Sequence, residues 1–159
     1  MGDVYTFGPT FRAEHSDTAR HLAEFWMIEP EMVFAELTDV MDCAEDYVKF
    51  CLRYVMENNA DDIEFFNTTV DTSLKARLMN IIETPFTRLT YTEAITIIEE
   101  HLRDKKIKFK VKPQWGDDLG SEHERYLAEK VFSGPVSVYN YPKSFKAFYM
   151  KGNEDGRTV

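Results

Sequence analysis

The chain has 159 residues, a formal net charge of -9 at pH 7 and 43% hydrophobic residues. This length is enough for one ordinary domain with a core, and the hydrophobic content excludes a disordered tail. The acidic excess excludes electrostatic binding of nucleic acid over a broad surface. Any contact with nucleic acid therefore has to come from a local cluster of cations.

Cysteine usage and the amino terminus indicate a cytoplasmic protein. Cys43 and Cys51 are the only cysteines, and on one helix their Cα atoms would be roughly 12 Å apart, too far for a disulfide. Unpaired cysteines are typical of a reducing compartment. Residues Met1 to Asp3 lack the apolar core of a signal peptide, and no apolar run approaches the roughly 20 residues of a membrane span. We therefore expect no membrane contact.

Two strands joined by a charged loop are predicted near the amino terminus. Residues rich in β-formers run from Val4 to Glu14, and the polar residues His15 to Arg20 predict a loop. The apolar pattern resumes from Phe25 to Phe34. Within this second strand Glu29 and Glu31 are two residues apart, which places both carboxylates on one face.

A long helix is predicted next, because apolar residues recur at steps of three and four. Asp39 is expected to cap its start, and the polar pair Asn58 and Asn59 is expected to end it. A second, shorter helix is predicted from Leu74 to Ile81. The apolar positions of the long helix are Val40, Met41, Ala44, Val48, Cys51, Leu52 and Val55.

Two capping boxes predict two further helix starts. In each, a hydroxyl side chain is followed three residues later by a glutamate, as in Thr90 with Glu93 and in Ser121 with Glu124. The helix that begins at Ser121 is expected to continue through Tyr126, Leu127 and Val131.

Strands are predicted around these helices. Lysines alternate with apolar residues from Lys105 to Lys112, which predicts a lysine-protected edge strand, with a phosphate contact as the alternative. Pro135 to Tyr141 and Lys146 to Met150 are two more expected strands. Strands and helices are interspersed, but they do not follow the regular strand–helix–strand order of βαβ units. The sequence therefore predicts an α+β fold with an antiparallel sheet flanked by helices.

Three sequence blocks, in the same order along the chain as in a known family, carry a resemblance to that family. They are Phe11–Phe34, Trp115–Leu127 and Asn140–Met150. The first resembles motif 2 of class II aminoacyl-tRNA synthetases of the aspartyl and asparaginyl branch, and its continuation Trp26–Glu31 is most similar to the asparaginyl members. The resemblance spans essentially the whole chain. It implies that residues 1–159 are part of a class II catalytic domain, with motif 2 at residues 11–34 and with the anticodon-binding domain, motif 1 and motif 3 outside the chain.

The resemblance implies an asparagine–tRNA ligase, which activates asparagine with ATP and transfers it to tRNA(Asn). Arg12 is the implied catalytic residue, because its planar guanidinium can hold the α-phosphate and the amino-acid carboxylate. The implied ATP contacts are Arg12, Glu14, Arg20, His21 and Phe25. The implied amino-acid contacts are Glu29 and Tyr149, and the implied contacts with the tRNA acceptor end are Ser16 and Thr18.

The same resemblance implies partners and leaves alternatives. ATP is expected as a substrate, Mg²⁺ is expected with ligands outside this chain, and the whole enzyme is expected to be a homodimer. No metal site is predicted within the chain, because Glu122, His123 and Glu124 lack the three- or four-residue spacing of helical ligands. The alternatives are an aspartyl-tRNA synthetase, an asparagine synthetase on the same scaffold, or a truncated, non-catalytic remnant. The fragment alone is expected to be inactive.

Overall fold

The computed structural model describes residues 2–13, 15, 21–104 and 107–159. The chain forms two compact units, Met1–Ala44 and Glu45–Val159. A π-helical turn, Leu127–Val131, directly follows the last helix. The strands and helices are β1 Val4–Phe11, β2 Glu24–Glu31, α1 Leu37–Asn58, α2 Ala60–Thr69, α3 Leu74–Glu83, β3 Thr87–Thr90, α4 Tyr91–Arg103, α5 Ser121–Tyr126 and β4 Val136–Tyr139.

The first unit contains the predicted hairpin. Strands β1 and β2 are antiparallel, with Phe7 opposite Ile28 and Phe11 opposite Glu24. The Arg12 N–H donates to the Ala23 carbonyl over 2.9 Å, which continues the ladder by one pair beyond the strands. The predicted mixture of helices and strands with an antiparallel sheet is confirmed.

Helix α1 is confirmed, but the prediction for its cap is wrong. The helix begins at Leu37, so Asp39 lies within its first turn. There the Asp39 carboxylate accepts a hydrogen bond from the Glu36 N–H over 2.8 Å, because a side chain at the third helical position can reach back over the helix start. Helix α1 ends at Asn58 as predicted. The α3 prediction is confirmed as well, whereas α2 was not predicted.

The core of the second unit lies around α4. Both halves of the predicted capping box are present, since the Glu93 N–H donates to Thr90 Oγ1 over 3.2 Å and the Thr90 N–H donates to Glu93 Oε2 over 2.9 Å. Strand β3, which leads into α4, was not predicted, and it pairs with β4 in parallel, whereas the sequence predicted an antiparallel sheet. The buried apolar residues are Leu89, Tyr91, Ala94, Ile95, Ile98, Leu119 and Leu127.

The predicted strand from Lys105 to Lys112 is wrong for residues 107–112, which form no strand; Lys105 and Lys106 lie outside the described residues. Backbone groups that a strand would use are already bonded to side chains of α5. Glu122 accepts from the N–H groups of Lys110 and Val111 over 3.1 and 3.2 Å.

Two other predictions near the carboxyl terminus need correction. Residues 146–150 form turns, not a strand, and the Met150 N–H closes one turn on the Ala147 carbonyl over 3.1 Å. The cap of α5 is also different, because Gly120 precedes the helix and its N–H donates to Nδ1 of His123 over 3.0 Å. The predicted strand at 135–141 is confirmed as β4.

None of the helices in the described part of the chain is long and apolar enough to span a membrane. Cys43 and Cys51 both carry free thiols.

Candidate functional site

The β1–β2 hairpin separates its side chains into two chemically different faces, because successive residues of a strand point to opposite sides. One side, which we call the arginine face, carries Thr10, Arg12, Phe25, Met27 and Glu29. The other side, the aromatic face, carries Tyr5, Phe7, Phe11, Trp26 and Ile28. The register therefore places on one face three residues that the resemblance implied for ATP or asparagine binding: Arg12, Phe25 and Glu29.

Arg12 and Phe25 are direct neighbours on the arginine face. The Arg12 guanidinium carbon lies 5.6 Å from the centroid of the Phe25 ring, within the range of a cation–π contact. Phe25 pairs with Thr10 across the hairpin and is half-buried, whereas Arg12 is exposed. A flat apolar ring beside an accessible guanidinium can hold a ligand that has both a planar ring and an anionic group.

Glu29 lies on the same face but at its far end. It pairs with Thr6, whose hydroxyl donates to Glu29 Oε2 over 3.2 Å. The residue opposite Arg12 is Ala23, which precedes Glu29 by six residues. Six residues of extended strand place Ala23 and Glu29 roughly 20 Å apart. The hairpin thus joins Arg12 and Phe25 closely but keeps Glu29 well apart from both.

The other implied residues are placed as follows. His21 is exposed in the segment that leads into β2. Tyr149 belongs to the second unit and is 77% exposed, and its ring packs edge-on against Phe148 with the ring centroids 5.6 Å apart. Tyr149 lies in a turn and not on the expected strand. Glu14, Ser16, Thr18 and Arg20 lie outside the described residues.

Two half-buried residues of the arginine face, Thr10 and Met27, were not predicted from the sequence. Thr10 lies directly opposite Phe25, and Met27 is the next residue along β2 on that face. The signal for both was the alternation of the two strands, which becomes usable only once the register is known. They form the surface on either side of Phe25.

The described residues contain no group of three or more His, Cys, Asp or Glu that could hold a metal ion. His123, which sequence spacing excluded as a ligand, is 2% exposed and bonds to the backbone through both ring nitrogens. Its role is structural.

The whole chain matches a known family. A family model described as tRNA synthetases class II (D, K and N) matches residues 1–159. The chain belongs to this family. The asparagine–tRNA ligase of Protochlamydia amoebophila is 60% identical to it over 159 residues, which are 100% of this class II chain and 33% of that protein. The chain thus spans about a third of the length of the curated relatives that it matches.

Solved structures of the class II family have the same fold. The Entamoeba histolytica asparaginyl-tRNA synthetase in complex with asparaginyl-adenylate has a TM-score of 0.75 and 29% identity, over 99% of this chain and 33% of that one. The aspartyl-tRNA synthetase of the same organism also has a TM-score of 0.75, with 25% identity over 99% of this chain and 31% of its own. The fold is therefore common to both branches, and the asparaginyl structure is the more similar in sequence.

Proposed function

We propose that this chain is the part of an asparagine–tRNA ligase that holds ATP during activation of asparagine. The observation that carries the proposal is the contact between Arg12 and Phe25 on the arginine face. Relatives that match the chain at 54–60% identity are named asparagine–tRNA ligases, and one similar structure contains asparaginyl-adenylate.

The proposed reaction is an in-line transfer of the adenylyl group. A carboxylate oxygen of asparagine attacks the α-phosphorus of ATP, the bond to the bridging oxygen breaks, and pyrophosphate leaves. Arg12 stabilises the negative charge on the α-phosphate oxygens and positions the attacking carboxylate, because its fork can donate to two oxyanions at once. The Phe25 ring stacks on adenine and fixes where the α-phosphate lies relative to Arg12.

The remaining roles stay predictions. Glu14 would accept a hydrogen bond from the adenine amino group, and Arg20 and His21 would contact the β- and γ-phosphates. Glu29 and Tyr149 would contact asparagine, and Ser16 and Thr18 would contact the acceptor end of the tRNA. Glu29 needs an amino-acid site at the opposite end of the arginine face from Arg12, and this is the most demanding of these roles.

For the whole protein we propose tRNA(Asn) as the acceptor, a homodimer as the assembly and the cytoplasm as the location. The two free thiols support a reducing compartment. Mg²⁺ commonly accompanies ATP, but the described residues do not provide a three-ligand group for it. We propose that the ligands of this Mg²⁺ lie in the rest of the protein.

A chimera tests the function. The chain would replace the matching segment of the Protochlamydia amoebophila ligase, to which it is 60% identical, and asparagine-dependent ATP–pyrophosphate exchange would be measured. We expect Arg12→Ala to lower kcat about 10²- to 10³-fold, the usual cost of removing one donor to a developing oxyanion. Phe25→Ala should raise the KM for ATP about tenfold, in line with the loss of ring stacking on a base.

The matched control is Arg53→Ala, since Arg53 is an exposed arginine on α1. Its exchange rate should stay within twofold of the unsubstituted chimera. Exchange that survives Arg12→Ala would refute the proposed role of Arg12. A chimera that exchanges with aspartate in preference to asparagine would favour the aspartyl alternative, whose structure fits the fold equally well.

A further inference from the structure

Cations of this acidic chain are concentrated in one short segment. Six of its 19 Lys and Arg residues lie between Arg103 and Lys112, a stretch that includes only one of its 28 acidic residues. The whole chain carries a net charge of -9. A polyanion is therefore repelled by most of the protein and attracted to this segment, provided that the cations are accessible.

The cations in the described part of the segment are accessible, and three of them, Arg103, Lys108 and Lys112, line a groove. Lys108, Lys110 and Lys112 are exposed, whereas Ile107 and Phe109 between them are half-buried. The groove has a volume of about 560 Å³. Its lining includes Leu102, Arg103, Ile107, Lys108, Phe109 and Lys112. Cations above an apolar floor focus their field into the groove, because the floor has a low dielectric constant.

The lysines are held in place by the start of α5. Glu122 accepts hydrogen bonds from the backbone N–H groups of Lys110 and Val111, and these bonds lower the pKa of the Glu122 carboxyl. Nε2 of His123 lies 2.9 Å from the Val111 carbonyl. The Phe109 ring packs edge-on against His123 with the centroids 4.7 Å apart. The backbone that carries the lysines is thus fixed before any ligand arrives.

We propose that this groove, which we call the lysine groove, binds the phosphate backbone of RNA. Lys108, Lys110 and Lys112 recur at every second residue of a segment that bends at residues 110 and 111, and all three are exposed. A dense cluster of exposed cations matches a partner with closely repeated negative charges, and a nucleic-acid strand is such a partner. The proposal rests on the proposed function for the presence of a tRNA, but not for the location of the surface.

Binding of the 159-residue chain to a fluorescein-labelled tRNA(Asn) transcript tests the proposal, with anisotropy measured over a series of salt concentrations. The test variant carries Lys108→Gln, Lys110→Gln and Lys112→Gln. We expect its Kd near 0.1 M salt to rise at least about tenfold, and the slope of log K against log salt to fall by about two to three, because each phosphate contact contributes roughly 0.9 to that slope.

The matched control carries the same charge change on three exposed cations of the same unit, Arg53→Gln, Lys130→Gln and Lys143→Gln. It should retain most of the affinity and the unsubstituted slope. Equal losses of affinity in the two triple variants would mean that only net charge matters, and this result would overturn the proposal. An unchanged slope of log K against log salt in the groove variant would overturn it as well. Poly-glutamate that competes as strongly as an RNA of equal charge would instead assign the groove to acidic peptides.

Failure here is distinguishable from failure of the proposed function. ATP–pyrophosphate exchange involves no RNA, so the lysine triple variant of the chimera should exchange at the unsubstituted rate. Loss of exchange in that variant would contradict the separation of the two surfaces. Far-ultraviolet circular dichroism of both triple variants should match that of the unsubstituted chain, because all six side chains are exposed.

Discussion

Removing one oxygen atom from the core, with Tyr91→Phe, is expected to destabilise the second unit measurably. Tyr91 is 0% exposed, and its hydroxyl connects the start of α4 to the loop at residues 114–117. The hydroxyl donates to the Asp117 carbonyl over 2.6 Å and accepts from the Gly116 N–H over 2.9 Å. Each such bond contributes about 0.5 to 1.5 kcal/mol net, so the variant should lose about 1 to 3 kcal/mol.

Urea denaturation followed by circular dichroism measures this loss, and the unfolding temperature should fall by roughly 5 °C for a chain of this length. The matched control is Tyr54→Phe, because Tyr54 is 56% exposed on α1, and its free energy of unfolding should change by less than about 0.5 kcal/mol. If Tyr91→Phe is as stable as Tyr54→Phe, the hydroxyl does not hold the loop and the reasoning is refuted.

Two further predictions concern capping and pH. Thr90→Ala removes the hydroxyl that accepts from the Glu93 N–H and should cost about 1 kcal/mol in thermal unfolding, whereas Thr90→Ser should cost little; equal losses would exclude a capping role. Backbone N–H groups hold the pKa of Glu122 below its usual 4.5, so the stability it contributes is fully present above pH 4.5 and is lost as the pH falls through its folded pKa. The amide proton shifts of Lys110 and Val111 should therefore titrate with a midpoint below pH 4.5. A midpoint at or above that value would contradict the two hydrogen bonds from these N–H groups to Glu122.

Local patterns predicted the elements whose hydrogen bonds are local. The helical period predicted α1, and the capping box at Thr90 predicted the first residue of α4, because both depend on contacts within a few residues. The β1–β2 hairpin was also predictable, since its two strands are neighbours in sequence. These elements place Arg12 and Phe25 on one face.

Contacts between distant residues were not predictable. The alternation through Lys112 is that of a strand, yet Glu122 and His123 bond to this backbone from the next helix. The parallel pairing of β3 with β4 joins residues nearly 50 positions apart, and no local pattern encodes its direction. Residues 146–150 have the composition of a strand but form turns instead.

The candidate site was predictable in part for the same reason. The order of residues in the first block implied Arg12 and Phe25 together, and the hairpin register brings them into contact. The place of Glu29 depends on that register, which puts it roughly 20 Å along the strand from the pair that contains Arg12. Residue order alone did not reveal that separation.

The most direct test of the central claim is a crystal structure of the chimera with a non-hydrolysable analogue of asparaginyl-adenylate. The account predicts that the adenine ring stacks on Phe25 and that the group replacing the α-phosphate lies within hydrogen-bond distance of the Arg12 guanidinium. An analogue bound elsewhere, with neither Arg12 nor Phe25 in contact with it, would contradict the assignment of the arginine face as the nucleotide site.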